Sequence, residues 1–434
     1  MLAWVADSGI RSISRLFMER FRPENLDRWW TRRSAIAAAA GLAAAQPQAG
    51  AQKPAAHPLW PMDGPPVLRG AVIAQRRRRT EVDGDTFGGG AAALPAYGAA
   101  EFDALAEAGA NLVVMSFPEL WTVGRQHRLD PVMAAQLQAQ LKLAREAGLY
   151  VVVGLRSGPG RSDFVFHRDA AGSWFPARLI VDSIWTNLDE QAAWAEMCAD
   201  AAKMLAGQPE IAGLNIMVEP DPNVSGTNRK GQRLGAWTSK GYAAEVSRIS
   251  DWRRIARDCA MKVRTVAPDL PILISPPAFA RTDFLPVMGQ PPVAGTVWCV
   301  HDYEPRDYTH QSRNSRGIAI FSEGGADTFA NRIDAAKRQG APVFLGEFGA
   351  ARWGHELDTY YSSRIAACEA RGVGWAAFRW PTSDAAYEQQ DDTFNLTWGG
   401  AAGDITGSPM PTLRGAWAKN SARLSGAGLP SRNN

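Results

Sequence analysis

The sequence predicts a (β/α)8 barrel, an α/β fold of the TIM-barrel type, with long loops between each strand and the helix that follows it. Eight short apolar runs, rich in β-branched residues, alternate with segments whose apolar residues recur at helical spacing. Such alternation is typical of a parallel sheet with crossover helices. The 434 residues could hold two average domains, but one barrel with long loops requires fewer assumptions.

The eight predicted strands are short and mostly apolar, as expected for strands buried on both faces. Between two of them, Met133, Leu137 and Leu141 recur at helical spacing, and the stretch ends at Gly148, a candidate C-cap. A doubly wound sheet is the main alternative. It predicts a glycine-rich phosphate loop, and the segment 158–160 lacks the third glycine of that motif. In order, the strands span residues 67–74, 110–115, 149–155, 211–218, 271–275, 296–300, 343–346 and 373–378.

Residues 1–51 are predicted to be an export signal rather than part of the fold. Arg32 and Arg33 precede the alanine-rich run 35–45, a pattern that resembles a twin-arginine signal and indicates a periplasmic or secreted protein. The run is too short and too weakly apolar to span a bilayer, so no membrane partner is expected after signal removal. A disordered basic arm is the alternative. The remaining chain divides into a lead-in over 52–65, the (β/α)8 domain over 66–418 and a loose tail over 419–434.

Composition gives no reason to expect nucleic acid as a partner. The 47 basic and 44 acidic residues leave a net charge of only +3. Sixteen tryptophans mildly favour carbohydrate, since sugar rings stack on flat amphipathic side chains. The six histidines and four cysteines show no spacing typical of metal ligands, so neither a metal nor an organic cofactor is predicted. The cysteines are expected to be buried free thiols, although an exported protein could form a bridge.

Two glutamates follow apolar runs, and they are the strongest functional signal in the chain. Glu219 comes after the run 211–218, and Glu347 comes after the run 343–346. A carboxylate at the end of a buried strand requires either an ion pair or a functional site. In a barrel, the carboxyl ends of all strands face one mouth, so both side chains should converge there. Paired carboxylates are the minimum apparatus for hydrolysing a glycosidic bond, with a structural ion pair as the alternative.

The order of four strand-end motifs resembles glycoside hydrolase family 5, the cellulase family, within the clan of retaining (β/α)8 hydrolases. The resemblance covers about residues 65–418, and the segment 68–70 is similar to the first strand of that family. The motifs are Glu219-Pro220 on the fourth strand, His301-Asp302-Tyr303 after the sixth, Gly346-Glu347-Phe348-Gly349 on the seventh and Phe378-Arg379-Trp380 after the eighth.

The resemblance implies a role for each of five residues. Glu219 would be the general acid/base and Glu347 the nucleophile of a double displacement. Tyr303 would hydrogen-bond the nucleophile, and His301 would lie beside the acid/base and the sugar hydroxyls. Trp380 would form the floor on which the scissile sugar stacks. The implied substrate is a β-linked glucan, mannan or related oligosaccharide.

Two departures from the family pattern mark the chain as a divergent member. Val218 stands where the family has an asparagine immediately before the acid/base, and Val114-Met115-Ser116 stands where the second strand of the family ends in an arginine. Arg156 and Arg379 are the candidate replacements for that positive charge, next to the substrate. A transglycosylase on the same scaffold and a carbohydrate-binding barrel impaired in catalysis are the alternatives, and Val218 favours the second.

Overall fold

Eight parallel strands close into a barrel in chain order, with each strand paired to the next and β8 paired to β1. The closed barrel confirms the predicted fold class. The computed structural model describes residues 57–74, 97–117, 120–121, 128–156, 183–311, 320–322, 328–381, 394–397 and 408–424. The strands are β1 (Arg69–Ala74), β2 (Leu112–Phe117), β3 (Tyr150–Leu155), β4 (Ile211–Asn215), β5 (Ile272–Ile274), β6 (Thr296–Asp302), β7 (Val343–Phe348) and β8 (Gly374–Ala377).

Helices connect the strands on the outside of the barrel. Asp130 shows how the sequence starts one of them: its side chain accepts hydrogen bonds from two backbone N–H groups of the first turn, and Pro131 occupies the first helical position. The larger helices of the described residues are α1 (Ala99–Glu107), α2 (Pro131–Glu146), α3 (Leu188–Leu205), α4 (Trp252–Val266), α5 (Phe329–Lys337), α6 (Leu357–Glu369) and α7 (Met410–Trp417). Shorter helical segments span Ser183–Trp185, Pro222–Ser225, Ser239–Glu245, Thr282–Met288 and Arg306–Thr309.

Four strand ends differ from the sequence prediction by two or three residues, and all four lie at the mouth of the barrel. β2 continues to Phe117 rather than ending at residue 115. β4 ends at Asn215 rather than at residue 218, because the Asn215 side chain accepts a hydrogen bond from Met217 N at 3.3 Å and the chain turns there. β6 continues to Asp302 and β7 to Phe348, so His301 and Glu347 lie within strands and not after them. Pairing between β6 and β7 therefore extends into the predicted site.

The strands separate two apolar clusters, as expected when alternate side chains point to opposite faces. Val72, Val114, Val152 and Phe344 belong to the inner cluster, which fills the barrel. The outer cluster packs the strands against the helices and is the larger of the two. Because the barrel interior is filled by side chains, the fold leaves its carboxyl end as the place for a site.

Trp60, in the predicted lead-in, closes the amino end of the barrel. Its indole N–H donates to Ala212 O at 2.7 Å, and its ring packs edge-on against Phe344 at 5.2 Å between centroids. Only 3% of the residue is exposed. The lead-in residues from 57 onward thus belong to the folded unit and seal the end opposite the site.

The tail is bound to the barrel as far as residue 424, which corrects the loose tail expected over 419–434. Asn420 Nδ2 donates to Gly109 O at 3.0 Å, and Arg423 Nη2 donates to the same oxygen at 2.9 Å. Arg69 Nη1 in turn donates to Asn420 Oδ1 at 3.2 Å. Residues 425–434 and the export signal predicted over 1–51 lie outside the described residues.

The four cysteines are buried free thiols, as the sequence predicts. Cys198 lies in α3, Cys259 in α4, Cys299 in β6 and Cys368 in α6. Among the helices that the structure describes, none is both long enough and apolar enough to cross a bilayer.

Replacing Trp60 by Ala should lower the free energy of unfolding by about 3–5 kcal/mol, since it removes a buried ring and leaves Ala212 O without its donor. Urea denaturation followed by tryptophan fluorescence measures this change. Met261→Ala is the matched control, because Met261 is 55% exposed on α4 and its loss should cost less than about 0.5 kcal/mol. Equal midpoints for the two variants would contradict the sealing role of Trp60.

Candidate active site

Glu219 and Glu347 meet at the carboxyl end of the barrel. One carboxylate oxygen of each lies within 4.8 Å of the other and of a ring nitrogen of His301. The Glu219 side chain is 13% exposed and that of Glu347 is 5% exposed. The two glutamates that the sequence singles out therefore share one small, largely buried pocket.

A β-bulge in β7 turns Glu347 into the mouth. Val300 pairs with Leu345 and His301 pairs with Glu347, so Gly346 is an extra residue. Leu345 and Phe348 both belong to the outer cluster although they are three positions apart, which regular alternation forbids. Only glycine fits at the bulge, because a Cβ on Gly346 would lie 2.5 Å from Cys299 Sγ.

Glu219 reaches the same pocket by a different route. It lies four residues beyond the end of β4, and its backbone is in the left-handed region, with φ of 49°. This conformation is unfavourable by about 1–2 kcal/mol for a residue with a Cβ. Pro220 follows directly and disfavours the ordinary helical conformation for the residue before it. Strain of this kind persists where the surroundings fix the chain, which is typical of active sites.

Arg156, the first residue after β3, binds both carboxylates. Its Nη2 donates to Glu347 Oε1 at 3.1 Å, and its Nη1 lies 3.7 Å from Glu219 Oε2. Its Nε donates to Ser116 Oγ at 2.6 Å, which fixes the plane of the guanidinium. Arg156 is one of the two arginines predicted to replace the arginine that β2 lacks. The structure places it against both acids, and Ser116 near the end of β2 orients it.

His301 bridges the two glutamates from β6. Its Nδ1 lies 2.9 Å from Glu219 Oε1 and 3.4 Å from Glu347 Oε2. Burial opposes its protonation, but attraction to Glu347, a hydrogen bond with Cys299 and contact with Glu219 outweigh burial and raise the pKa of His301 to about 10. The imidazole is therefore a cation at neutral pH. It lies beside the acid/base, as the family resemblance implies, and it also contacts Glu347.

Tyr303 holds the other side of Glu347. Its hydroxyl donates to Glu347 Oε2 at 3.0 Å, and burial together with the nearby carboxylates raises its pKa well above the ordinary value. The phenol thus stays protonated and acts as a donor. Its ring is held edge-on by Phe378, Phe394 and His310, at 5.3–6.3 Å between centroids.

The charges around Glu347 oppose one another. Burial raises the pKa of this carboxyl, and repulsion by Glu219 adds to the rise. His301, Arg156 and the Tyr303 hydroxyl all favour the ionised form, but the pKa of Glu347 remains above its ordinary value. Two acids and two cations thus form a nearly neutral cluster, in which each acid depends on the cations for its charge.

The cluster could also hold a metal ion by distance alone, which the scattered histidines of the sequence do not indicate. Glu219, His301 and Glu347 each present one possible ligand atom, all within 4.8 Å of one another. However, Arg156 and protonated His301 already neutralise these carboxylates. A divalent cation would add to two positive charges, so the donor set favours chemistry carried by the carboxylates themselves.

The two remaining predicted residues lie in the packed wall of the barrel. Trp380 is 7% exposed, its indole N–H donates to Glu101 O at 3.1 Å, and its ring meets the edge of Trp417. Arg379 is 2% exposed and donates from Nε to Asn395 Oδ1 at 3.2 Å. The structure shows packing for Trp380 and a local hydrogen bond for Arg379, and their roles toward substrate stay predictions.

Val218 fits its position because of a glycine on β3. A Cβ on Gly154 would lie 2.6 Å from Val218 Cγ2, so the valine occupies the space above this glycine. The residue is 3% exposed. Asn215 does not supply the missing amide, since its Nδ2 donates to Ser275 Oγ at 3.1 Å below the mouth. The position that carries an amide in the family therefore carries a buried apolar side chain here.

A closed parallel barrel with two carboxylates at one mouth is the arrangement found in (β/α)8 glycoside hydrolases. The model of the cellulase family, glycosyl hydrolase family 5, matches residues 92–384, and the chain belongs to this family. The predicted family and the predicted enzyme class are confirmed. No curated protein matches the chain.

Solved structures share the fold at low sequence identity. The Cel5A endoglucanase of Thermotoga maritima with cellobiose has a TM-score of 0.56 at 14% identity, over 81% of this chain and 96% of that chain. The same enzyme with mannotriose has a TM-score of 0.53 at 13% identity, over 76% and 92%. A cellulose synthase subunit of Clostridioides difficile has a TM-score of 0.54 at 14% identity, over 81% and 99%. These likenesses show the fold and mark the chain as a divergent member.

Sequence reasoning missed two residues that support the site. Ser116 orients Arg156. The sequence marks this position only because the family has an arginine near it and this chain does not. Asp302 is buried, and its Oδ2 accepts from Arg332 Nη2 at 2.7 Å, which fixes the end of β6 between His301 and Tyr303. Its position inside the His-Asp-Tyr motif was the available signal.

Removing the Arg156 charge should move the acidic limb of the pH profile of kcat/KM to higher pH. The guanidinium lowers the pKa of Glu347, so its loss raises that pKa, and ionised Glu347 then appears only at higher pH. The measurement compares profiles of wild type, Arg156→Met and Arg156→Lys from pH 4 to 8. The lysine variant keeps the charge and should shift less. An unmoved acidic limb in the methionine variant would contradict the electrostatic role.

Proposed function

We propose that the protein is a retaining β-glycoside hydrolase that cleaves a β-linked glucan by double displacement, with Glu347 as nucleophile and Glu219 as general acid/base. The observation that carries this proposal is the short distance between the two carboxylates, within 4.8 Å for one oxygen of each. Retaining enzymes use carboxyl groups about 5–5.5 Å apart, whereas inverting enzymes need about 6.5–9.5 Å to admit a water molecule.

In the first step, Glu347 attacks the anomeric carbon and the bond to the leaving-group oxygen breaks. Arg156 and Tyr303 hold the two oxygens of Glu347 at 3.1 and 3.0 Å, so the nucleophile is oriented before substrate arrives. Its raised pKa favours bond formation, since a less solvated carboxylate is a stronger nucleophile. The leaving oxygen takes a proton from Glu219.

The proton for the leaving group is held between Glu219 and His301. The 2.9 Å hydrogen bond joins Glu219 Oε1 to His301 Nδ1, and the pair carries one proton whether it is drawn on the carboxyl or on the imidazole. In the second step, Glu219 removes a proton from water, the water oxygen attacks the anomeric carbon, and Glu347 leaves. The pair then holds its proton again, and the site is restored.

The substrate class rests on the family and on the chemistry of the pocket. The family is that of the cellulases, and the Thermotoga maritima enzyme of the same fold was solved with cellobiose and with mannotriose. A β-glucan is therefore the first substrate to test, and a β-mannan the second. Transfer to a sugar hydroxyl instead of water uses the same carboxylates, and product analysis separates the two outcomes.

Glu347→Gln should reduce turnover of an aryl β-cellobioside by roughly 10⁴-fold or more, because no nucleophile remains. Glu219→Gln should reduce kcat/KM for cellotetraose by about 10²–10⁴-fold but kcat/KM for β-cellobiosyl fluoride much less, since kcat/KM reports the first step and fluoride leaves without a proton. Proton NMR of the first product should show the β-anomer with wild type.

Controls decide between this proposal and its rivals. Each glutamine variant should keep the thermal unfolding midpoint of wild type within a few degrees, so that a loss of turnover reports chemistry. An α-anomer as the first product would refute double displacement, and unchanged turnover by Glu347→Gln would refute the nucleophile. Binding of cellotetraose or mannotetraose by wild type without release of reducing ends would favour the carbohydrate-binding barrel.

We further propose that residues 1–51 direct export to the periplasm or the medium. Arg32 and Arg33 ahead of an alanine-rich run support a twin-arginine signal, with cleavage after Ala45 or Ala51. Sequencing the amino terminus of the exported protein should find one of these ends, and replacing both arginines by lysine should retain the protein in the cytoplasm. Export of the lysine variant at the wild-type level would refute the signal.

A further inference from the structure

The segment between β5 and β6 departs from the barrel pattern next to the active site. Ile274 pairs with Trp298, and Arg281 pairs with His301. The chain therefore advances seven positions after β5 while β6 advances three. The extra residues form a left-handed turn, in which Ala278, Phe279 and Ala280 have φ of 59°, 62° and 60°. Three successive residues with side chains rarely adopt this conformation, and such strain concentrates at functional sites.

Contacts on both sides fix this turn relative to the catalytic cluster. The Arg281 backbone pairs with that of His301, and Thr282 Oγ1 donates to His301 O at 3.4 Å. On the other side, Ala278 is fully buried in an apolar cluster with Leu234 and Tyr242, which belong to the segment after Glu219. The turn is therefore rigidly attached to the residues that hold the acid/base.

The turn displays an aromatic pair at the surface. Phe279 stacks on Trp237, with 6.3 Å between ring centroids and 7° between ring planes. Trp237 is 46% exposed, whereas tryptophans with a packing role such as Trp60 and Trp185 are 3% exposed or less. An exposed indole beside a second, nearly parallel ring is the kind of surface on which a sugar ring stacks.

We propose that Trp237 and Phe279 form a binding platform for a sugar unit on the leaving-group side of the scissile bond. The inference rests on the proposed function, because the acid/base must touch the leaving-group oxygen. Trp237 lies in the loop that follows Glu219. Phe279 lies in the loop after the adjacent strand β5, and that loop pairs through Arg281 with His301, which contacts Glu219. The sugar chain that departs beyond Glu219 therefore passes over these two loops.

The test separates substrates by their leaving groups. Cellotetraose and mannotetraose carry sugars in the leaving position, whereas the matching disaccharide fluorides carry none. For the tetraose that wild type cleaves faster, Trp237→Ala should raise KM about tenfold, equivalent to about 1.4 kcal/mol, and should change kcat/KM for the fluoride by less than about twofold. Trp237→Phe keeps an aromatic face and should recover most of the affinity.

Met261→Ala is the matched control, because it removes a similarly exposed apolar side chain that lies on α4 and not in the two loops. It should leave both substrates unaffected. An unchanged KM for the tetraose in Trp237→Ala, or an equal loss on tetraose and fluoride, would overturn the platform. With β-cellobiosyl fluoride as donor and cellobiose as acceptor, Trp237→Ala should also lower transfer relative to hydrolysis.

Failure of the proposed function gives a different result. If wild type cleaves neither the tetraoses nor the fluorides, the hydrolase assignment is refuted, and calorimetric titration with the tetraoses then tests the platform alone. Weaker binding by Trp237→Ala than by Met261→Ala supports the platform in that case. Equal binding by both variants, or no binding by wild type, overturns it.

Discussion

The active site depends on holding two carboxylates within 4.8 Å of each other in a largely buried pocket. At an effective dielectric constant near 20, two like charges about 4 Å apart repel by roughly 4 kcal/mol, and desolvation of each adds to the cost. Arg156 and His301 offset this cost because each contacts both acids. The cluster of two acids and two cations is therefore a single unit, in which the cations favour the ionised form of Glu347.

Much of the surrounding structure serves to bring these four side chains together. Gly346 provides the extra residue that turns Glu347 inward, and the left-handed backbone of Glu219 directs the second acid to meet it. Ser116 orients the guanidinium, and Tyr303 fixes the remaining oxygen of the nucleophile candidate. Irregular backbone is concentrated at this end of the barrel, whereas the opposite end is closed by ordinary packing around Trp60. Such a division suits a fold in which one end carries stability and the other carries chemistry.

The divergence of the chain from its family is compensated locally. The second strand lacks the arginine of the family, but Arg156, which follows the third strand, hydrogen-bonds to Ser116 near the end of the second. The positive charge beside the acids is therefore kept, although it comes from the neighbouring strand. Where the amide before the acid/base is replaced by Val218, Gly154 leaves the room that the valine needs. The first exchange preserves the electrostatics of the site. The second places a buried apolar side chain directly before Glu219.

The sequence by itself determined the barrel, its strand order and the two glutamates, because buried parallel strands are short apolar runs and a carboxylate at their ends is conspicuous. It also carried the motif that places His301 and Tyr303 beside them. Only the tertiary structure decided that Arg156 rather than Arg379 lies against both acids, that Trp380 packs in the wall, and that Trp237 meets Phe279. These outcomes depend on bulges, left-handed residues and contacts between segments far apart in the chain. Periodicity does not encode such features, since a bulge adds one residue and leaves the rest of a short apolar run unchanged. The partner of a side chain is fixed by the closure of the barrel.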